Sequence, residues 1–460
     1  MSFASACENL LRGVPDYPCF LTVDELEAAT DGLARAHPDA VRVTELGRSR
    51  GGRPVRCLTV GAGECAAAAL GAPHPNEPVG VMAVSYLAER LAADPGLAAE
   101  LGVTWHLVKA WDVDGLALNE GWLKGPYTLF DYARHYFRPD FADQPDWTFP
   151  VRHKRLAFNA PTPEAACGML LIDEVRPDLL LSLHNCSFGG AYWYETEPTP
   201  ALWEPLRDAA RRRGVPLDLS TPEMPYAKQL APAVLGALGA EDAYDYYESL
   251  GAEDPAALVG HGTTSAAYAA RRHGTFGLVC EIPYFYDRAI EDGSGCGRTL
   301  SEVLLARLDW VGACGRLVEG WMGELGGVLG EKNPYRRALA AESFAASDAA
   351  LRRQARDDPA FAREATVAEA FDADVVRRFY RSRNVGMLLS AIDWEASERR
   401  LSSSERVVAA EVGAEAESWL REACADFEAR SSYRAIPIRD LVATQLESAL
   451  LAVAHVRGLM

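Results

Sequence analysis

The sequence lacks any long apolar segment and any recognisable secretory signal. No run of about 18 apolar residues occurs in the chain, which excludes a predicted transmembrane helix. The first residues, MSFASACENLLRGVPDYPCF, have no basic stretch followed by an apolar core, so we expect no signal peptide. These two absences predict a cytoplasmic protein without a membrane partner.

The cysteines lack any CxxC spacing, and several lie inside apolar stretches. Cys57 lies in RCLTV and Cys280 lies in GLVCEI. This distribution favours buried, reduced thiols over a disulfide framework or a cysteine metal site.

Positive charge is scarce. The chain has 46 Lys and Arg against 65 Asp and Glu, a formal net charge of −19. Nucleic acids and anionic membranes reward clustered positive charge, so neither is an expected partner. The net charge does not identify a substrate, because a cleft can carry local charge of the opposite sign.

Up to about residue 330, strand-like and helix-like segments alternate along the chain. This alternation predicts an α/β fold with a largely parallel sheet covered by helices on both faces. The apolar runs LLLSL and TFGLVCEI favour buried central strands. The predicted helices are 22–36, 79–93 and 163–175, and the predicted strands are 41–46, 54–60, 104–110, 176–185 and 275–285.

From residue 333 to residue 460 the chain is rich in Ala, Arg and Glu and has almost no strand-like runs. Segments 341–357, 366–383 and 438–458 have the spacing of amphipathic helices. This region is predicted to be a helical C-terminal extension. Its role is open between a lid, a dimerisation element that would make a homo-oligomer, and packing against the sheet.

Two short motifs have the residue types of a metal site. His74 and Glu77 lie three residues apart in PHPNEP, whose prolines favour a turn at the start of a helix. His184 directly follows the apolar strand LLLSL, at the sheet edge where open α/β sheets place their sites. Zinc accepts such ligands. The alternatives are a loop His beside a helix-start Glu, and a buried, capped His184.

Glu281 is the candidate general base. It ends the apolar run TFGLVCE, and apolar neighbours would raise the pKa of its carboxyl towards a useful value. The alternative is a carboxylate paired with an arginine at a strand end.

Five motifs in a fixed order resemble the zinc carboxypeptidase family, the carboxypeptidase A-like metallopeptidases. The resemblance covers about residues 20 to 290. The motifs are the G-x-S-x-x-G-R-P turn of 47–54, HPNE of 74–77, DVDGL of 112–116 with Asp112 where Asn is usual, SLHN of 182–185, and the turn and final strand of 260–281.

The resemblance implies a mixed sheet between helices and one zinc ion per chain, held by His74, Glu77 and His184. It implies that Glu281 takes a proton from water and passes it to the leaving amine. Residues 1–330 would form the catalytic domain and residues 331–460 the helical extension. Another divalent metal remains open.

The sequence departs from the family at the substrate-binding residues. The Asn-Arg pair that holds a terminal carboxylate is missing between 151 and 166, where Arg155 and Asn159 are the candidates. Arg134 or Arg138 is the candidate for an arginine that polarises the carbonyl. His261 lies where a tyrosine is expected. The alternative for each is a solvated charge or an inert loop residue.

An insertion at 121–150 is rich in aromatic residues, which would either wall a pocket or form a satellite core. The preferred function is a metallocarboxypeptidase acting on a small peptide or peptide-like metabolite. The alternatives are an amidohydrolase of N-acyl amino acids, similar to deacylases and desuccinylases, and a catalytically silent binding protein on the same fold.

Overall fold

The computed structural model describes residues 2–341 and 345–460, and at 345–347 it describes the backbone alone. The strands are β1 Val41–Arg48, β2 Pro54–Val60, β3 Cys65–Gly71, β4 Val103–Val108, β5 Val151–His153, β6 Leu156–Phe158, β7 Leu179–His184, β8 Tyr192–Glu195, β9 Gln229–Ala231, β10 Val234–Gly236, β11 Phe276–Glu281, β12 Phe285–Tyr286, β13 Gly295–Thr299, β14 Glu364–Thr366 and β15 Arg434–Ala435.

The helices follow in chain order. They are α1 Phe3–Arg12, α2 Val23–Ala36, α3 Val79–Ala93, α4 Pro95–Leu101, α5 Val113–Leu118, α6 Glu120–Leu123, α7 Leu129–Arg134, α8 Pro163–Val175, α9 Pro200–Arg211, α10 Ala240–Ser249, α11 Pro255–Val259, α12 Ser265–His273, α13 Leu300–Glu324, α14 Pro334–Ala341, α15 Ala345–Asp357, α16 Val367–Phe371, α17 Arg377–Glu398, α18 Ser403–Ala429 and α19 Ile438–Val456.

The central sheet has the strand order β1-β2-β4-β3-β7-β11-β8-β10-β9. Its middle strands β4, β3, β7 and β11 are parallel to one another, whereas β1, β2, β8 and β9 add antiparallel pairings. The sheet is therefore mixed and parallel at its centre. The predicted fold class is confirmed.

Helices cover both faces of this sheet. Alternate residues of β3 divide between them, since Ala67 and Ala69 pack in one apolar cluster with α3 and α19, and Ala68 and Leu70 pack in another with α8 and α12. Because β7 is buried along its whole length, an unbroken apolar run suits it.

Helix α3 lies unusually close to the sheet, and this closeness fixes the turn that precedes it. A Cβ on Gly80 would lie 2.7 Å from both the Cβ and the carbonyl oxygen of Leu183. Only glycine allows this approach. The first turn of α3 is thereby held beside the end of β7.

The C-terminal helices pack onto the rest of the chain. Helix α19 lies on the sheet, where Gln445 Nε2 donates to the carbonyl oxygen of His184 at 2.7 Å. Helix α17 crosses α7 so closely that a Cβ on Gly386 would lie 1.7 Å from the carbonyl oxygen of Ala133. Of the three roles predicted for this region, packing against the sheet describes α19.

Two of the predicted C-terminal helices have different bounds in the structure. Segment 341–357 corresponds to α15, Ala345–Asp357, and 342–344 lie outside the described residues. Segment 366–383 is not one α-helix, because a π-helical turn, Asp372–Val376, separates α16 from α17. Amphipathic spacing alone does not reveal such a turn. Among the described residues, no helix combines the length and apolarity that crossing a bilayer requires.

Candidate active site

The strand order brings the predicted metal ligands to one edge of the sheet. His74 lies just after β3, in a turn closed by a hydrogen bond from Glu77 N to the carbonyl oxygen of His74 at 3.1 Å. His184 is the last residue of β7, which pairs in parallel with β3. Asn185 then ties the two segments together, because its Oδ1 accepts from Val79 N at the start of α3. The carboxyl ends of neighbouring parallel strands thus present all three side chains at one place.

Nitrogen and carboxylate ligand atoms converge at this place. His74 Nδ1 lies 2.9 Å from Glu77 Oε1, His184 Nδ1 lies 2.9 Å from Glu77 Oε2, and the two Nδ1 atoms are 3.1 Å apart. All three side chains are buried, and they form a group that can hold a metal ion. Two imidazoles and a carboxylate are a ligand set of catalytic zinc, so the residues present fit that metal.

The far side of the His184 ring has partners of its own. His184 Nε2 lies 3.2 Å from Asp146 Oδ2 and 2.8 Å from Ser182 Oγ. Asp146 is buried, and it also accepts from the backbone N–H of Ser265 at 2.9 Å. A carboxylate at Nε2 favours the tautomer in which Nε2 carries the proton. In the neutral ring, the Nδ1 lone pair is then available to a cation.

Arg138 occupies the other side of the cluster. Its Nη2 lies 3.0 Å from His74 Nε2, its Nη1 donates to Glu77 Oε1 at 3.3 Å, and its position is fixed further by Gln144. Burial, together with the charge of Arg138, lowers the pKa of His74 from 6.5 to about 4. His74 is therefore neutral, as a metal ligand must be.

The surroundings of His184 have the opposite effect. Burial acts to lower the pKa of His184, but the neighbouring carboxylates of Glu77 and Asp146 raise it to about 10. Burial likewise acts to raise the pKa of Glu77, and the two histidines outweigh it, so the pKa of Glu77 is lowered. The carboxylates around His184 therefore favour a positive charge at this place, and a bound divalent cation would supply that charge.

Glu281 stands next to the cluster. It ends β11, directly opposite His184 in the parallel pairing with β7, and its Oε1 lies 3.7 Å from His184 Nδ1. Burial raises the pKa of its carboxyl well above the ordinary value, against the opposing effect of His184. A desolvated carboxylate of this kind is a stronger base than a solvent-exposed one, which suits proton transfer.

A cavity opens over the cluster, and several of its residues were not singled out from the sequence. Asp146 comes from the aromatic insertion, Glu223 and Tyr194 come from the segment after β7, and Tyr380 and Arg383 come from α17. The hydroxyl of Tyr194 is buried and has no hydrogen-bond partner among the described residues. No short motif marks these residues, because each reaches the cavity only through tertiary packing.

The predicted substrate-binding residues separate into two groups. Arg138 lines the cavity, whereas Arg134 pairs with Asp393 at 2.5 Å and Arg155, which is exposed, pairs with Asp254 at 2.9 Å. Asn159 is also exposed and lies outside the cavity lining, as does the buried His261. The structure therefore brings only Arg138 of the five to the cluster.

His261 lies behind the cavity wall, where its ring stacks on Phe141 with the centroids 5.2 Å apart and meets Trp147 edge-on. Phe141 and Trp147 line the cavity themselves. The other predicted aromatic residues of the insertion pack in or against the main apolar core, among them Trp122, Tyr127, Phe130, Tyr132, Tyr136 and Phe137. The insertion thus serves mostly as core and supplies one part of the pocket wall.

Residues 26–212 match the zinc carboxypeptidase family model. The matched segment includes His74, Glu77 and His184, and it ends before Glu281 and before the C-terminal helices. The resemblance predicted from the motifs is confirmed. Less than half of the chain is matched, so the zinc carboxypeptidase-like segment is one part of this chain.

Solved metallo-carboxypeptidase structures are also similar to this chain. That of Burkholderia cenocepacia shares 19% identity, with 58% of this chain and 60% of that chain covered and a TM-score of 0.33. Carboxypeptidase A of Helicoverpa armigera shares 17%, with 61% and 71% covered and a TM-score of 0.39.

The murein-tripeptide amidase MpaA of Escherichia coli O157 shares 16% identity, with 54% of this chain and 87% of that chain covered and a TM-score of 0.27. This chain spans less than two thirds of the length of the Burkholderia cenocepacia protein. Curated proteins yielded no match.

Proposed function

We propose that this protein is a zinc-dependent hydrolase of amide bonds, a metallocarboxypeptidase that acts on a small peptide or peptide-like metabolite. One zinc ion per chain would be held by His74, Glu77 and His184. The observation that carries the proposal is the convergence of both Nδ1 atoms and the Glu77 carboxylate at one point, with Glu281 beside them.

Bound zinc would lower the pKa of a water molecule and polarise the scissile carbonyl. Glu281, as the nearby desolvated carboxylate, would accept the water's proton on a carboxylate oxygen and deliver it to the leaving amine. Asp146 would hold the ring of His184 in the ligating tautomer. Arg138, whose guanidinium lies within 3.3 Å of Glu77 Oε1, would stabilise negative charge that develops on the carbonyl oxygen.

A second candidate is an amidohydrolase that cleaves an N-acyl amino acid. It is favoured by the incomplete peptidase subsite, since Arg155 and Asn159, the candidates for the Asn-Arg pair, lie outside the cavity. Both candidates use the same ligands and the same Glu281. They differ in the acyl part of the amide that is cleaved, which belongs to a peptide in the first candidate and is a simple N-acyl group in the second.

Metal content and substrate panels test the proposal. We expect about one zinc per chain in the purified protein, and removal of zinc with a chelator should abolish hydrolysis. The panel contains dipeptides, N-acetylated dipeptides, γ-glutamyl peptides and N-acyl amino acids. Release of C-terminal residues from dipeptides supports the carboxypeptidase, and turnover confined to N-acyl amino acids supports the amidohydrolase.

Glu281→Gln isolates the proton-transfer step. This variant should keep its zinc and lose turnover by about 10²- to 10⁴-fold, the usual contribution of a general base. Glu174→Gln, at an exposed position of α8, is the matched control and should behave like the wild type. If the wild-type protein has full zinc occupancy and hydrolyses no member of the panel, it is instead a catalytically silent binding protein.

A further inference from the structure

We propose that Arg383, on helix α17 of the C-terminal region, is an anion-binding residue of the cavity that receives a carboxylate of the substrate. The inference rests on the proposed function, because it names the group that the hydrolase recognises. Arg383 lies far outside the segment that matches the zinc carboxypeptidase model, which ends at residue 212.

The guanidinium of Arg383 is held by two tyrosine rings and two hydrogen bonds. Its carbon lies 4.3 Å from the ring centroid of Tyr136 and 4.3 Å from that of Tyr380. Its Nη1 donates to Ser187 Oγ at 2.6 Å and its Nε donates to the carbonyl oxygen of Tyr380 at 3.1 Å. These contacts fix the position of the guanidinium and leave its Nη2 to bind a ligand.

No carboxylate neutralises Arg383 within 4.0 Å in the part of the chain that the structure describes. Other arginines of α17 differ in this respect, since Arg377 pairs with Asp372 at 3.1 Å and Arg378 pairs with Asp374 at 2.9 Å. The Nη2 of Arg383 also has no acceptor among the described residues. A partly buried, permanently charged group without a counter-ion is costly to the folded protein, so an anion is expected to bind there.

A hydrogen-bonded chain joins Arg383 to the metal-ligand turn. Ser187 Oγ, which accepts from Arg383, lies 2.8 Å from Tyr132 Oη, and Asn76 Nδ2 donates to Tyr132 Oη at 3.2 Å. Asn76 directly precedes Glu77. Within this chain of contacts, Asn76, Ser187 and Arg383 line the same cavity as the metal ligands, and Tyr132 does not. The orientation of the arginine is therefore coupled to the HPNE turn rather than to a mobile surface.

A carboxylate is the anion that fits this arrangement best. Arg383 Nη2, which has no acceptor among the described residues, can donate a charge-assisted hydrogen bond to a carboxylate oxygen, and the two tyrosine rings lie beside that pair. An amide hydrolase acting on a peptide, or on an N-acyl amino acid, has one carboxylate close to the scissile bond. The helical extension would then supply the anchor that residues 151–166 do not bring to the site.

The test compares substrates that differ only in this carboxylate. N-acetyl dipeptides with a free C-terminus and the same dipeptides as C-terminal amides are assayed with the wild type, Arg383→Gln, Arg383→Lys and Arg378→Gln. Arg378 is on the same helix and lies outside the cavity lining, so its variant controls for loss of one guanidinium from α17.

We expect Arg383→Gln to raise KM for the free acids by about 10- to 100-fold, the effect of losing a charge-assisted hydrogen bond, with kcat changed far less. The amides should change by less than about twofold, and Arg383→Lys should lie between the wild type and Arg383→Gln. Equal effects on acids and amides, or no effect on either, would overturn the assignment. If Arg383→Gln does not fold, Arg383→Lys tests the assignment: a KM increase for the free acids without one for the amides supports it, and equal changes overturn it.

Failure of the proposed function is recognised separately. A wild-type protein that binds zinc and hydrolyses no panel member refutes the hydrolase, and the anion site is then decided by calorimetry. N-acetylphenylalanine should bind the wild type more tightly than its amide does, and Arg383→Gln should remove this preference. A preference that persists in Arg383→Gln refutes the anion site.

Discussion

Asp146 Oδ2 lies 3.2 Å from His184 Nε2, on the side of the ring that faces away from Glu77. Both side chains are buried, and the carboxylate is held in turn by the backbone N–H of Ser265. Asp146 thus sets the orientation and the proton position of a predicted zinc ligand without contacting the ligand-binding nitrogen. A residue with this role should influence metal affinity more than it influences the fold.

Asp146→Asn should lower zinc affinity by about 10- to 100-fold, since the neutral amide no longer stabilises the Nε2–H tautomer as strongly. The amide oxygen can still accept from Ser265, so the fold is retained. Competition with a chromophoric chelator measures the affinity. Asp143→Asn is the control, because Asp143 is half-buried and pairs with Arg50 away from the metal ligands. Unchanged affinity in Asp146→Asn would show that the pair has no part in metal binding.

His184→Ala should reduce bound zinc from about one per chain to a trace, because two ligands rarely hold catalytic zinc. His153→Ala removes a histidine that pairs with Asp245 and is the matched control. The bound zinc per chain of both variants is measured by metal analysis after gel filtration in zinc-free buffer. Retention of a full equivalent by His184→Ala would place the metal elsewhere.

Much of the fold followed from pattern alone. The apolar runs that became β7 and β11 have no polar alternation, which is what burial on both faces of a sheet requires. The His and Glu of the HPNE turn were predictable as a unit because they are three residues apart. His184 was predictable because it follows a buried strand.

The remaining parts of the site have no such local signal. Asp146 reaches His184 from a short 3-10 helix 38 residues earlier in the chain, and Arg383 reaches the cavity from α17, which packs on α7 through Gly386. Arg134 and Arg138 were indistinguishable as sequence because only tertiary packing decides that one faces Asp393 and the other Glu77. Long-range contacts of this kind carry no periodicity.

Asp112→Asn should stabilise the protein increasingly as the pH rises. Burial raises the pKa of Asp112 from 3.8 to about 7, so the folded chain keeps a proton that the unfolded chain has lost, and stability falls between these values. The amide oxygen can still accept from Gly115 N, as Asp112 Oδ1 does at 3.0 Å. We expect a gain on the order of 2–4 kcal/mol at pH 8 and less than half of it at pH 5.

Denaturant unfolding of both proteins at the two pH values measures this difference. Asp39→Asn, at an exposed turn, should show no gain at either pH. A gain in Asp112→Asn that is the same at pH 5 and pH 8 would contradict the assignment of the raised pKa to this carboxyl.

Gly386→Ala should separate α17 from α7, because the added Cβ would lie 1.7 Å from the carbonyl oxygen of Ala133 and backbone cannot yield as a side chain can. We expect a loss of about 1–3 kcal/mol in the free energy of unfolding.

Gly320→Ala in α13 is the control, since a Cβ there meets nothing within 4 Å and helix propensity favours alanine by up to about 1 kcal/mol. The shift of α17 should also displace Tyr380 and Arg383, so KM for free-acid substrates should rise together with the destabilisation. A destabilised Gly386→Ala with unchanged KM would show that the cavity does not depend on how α17 is seated.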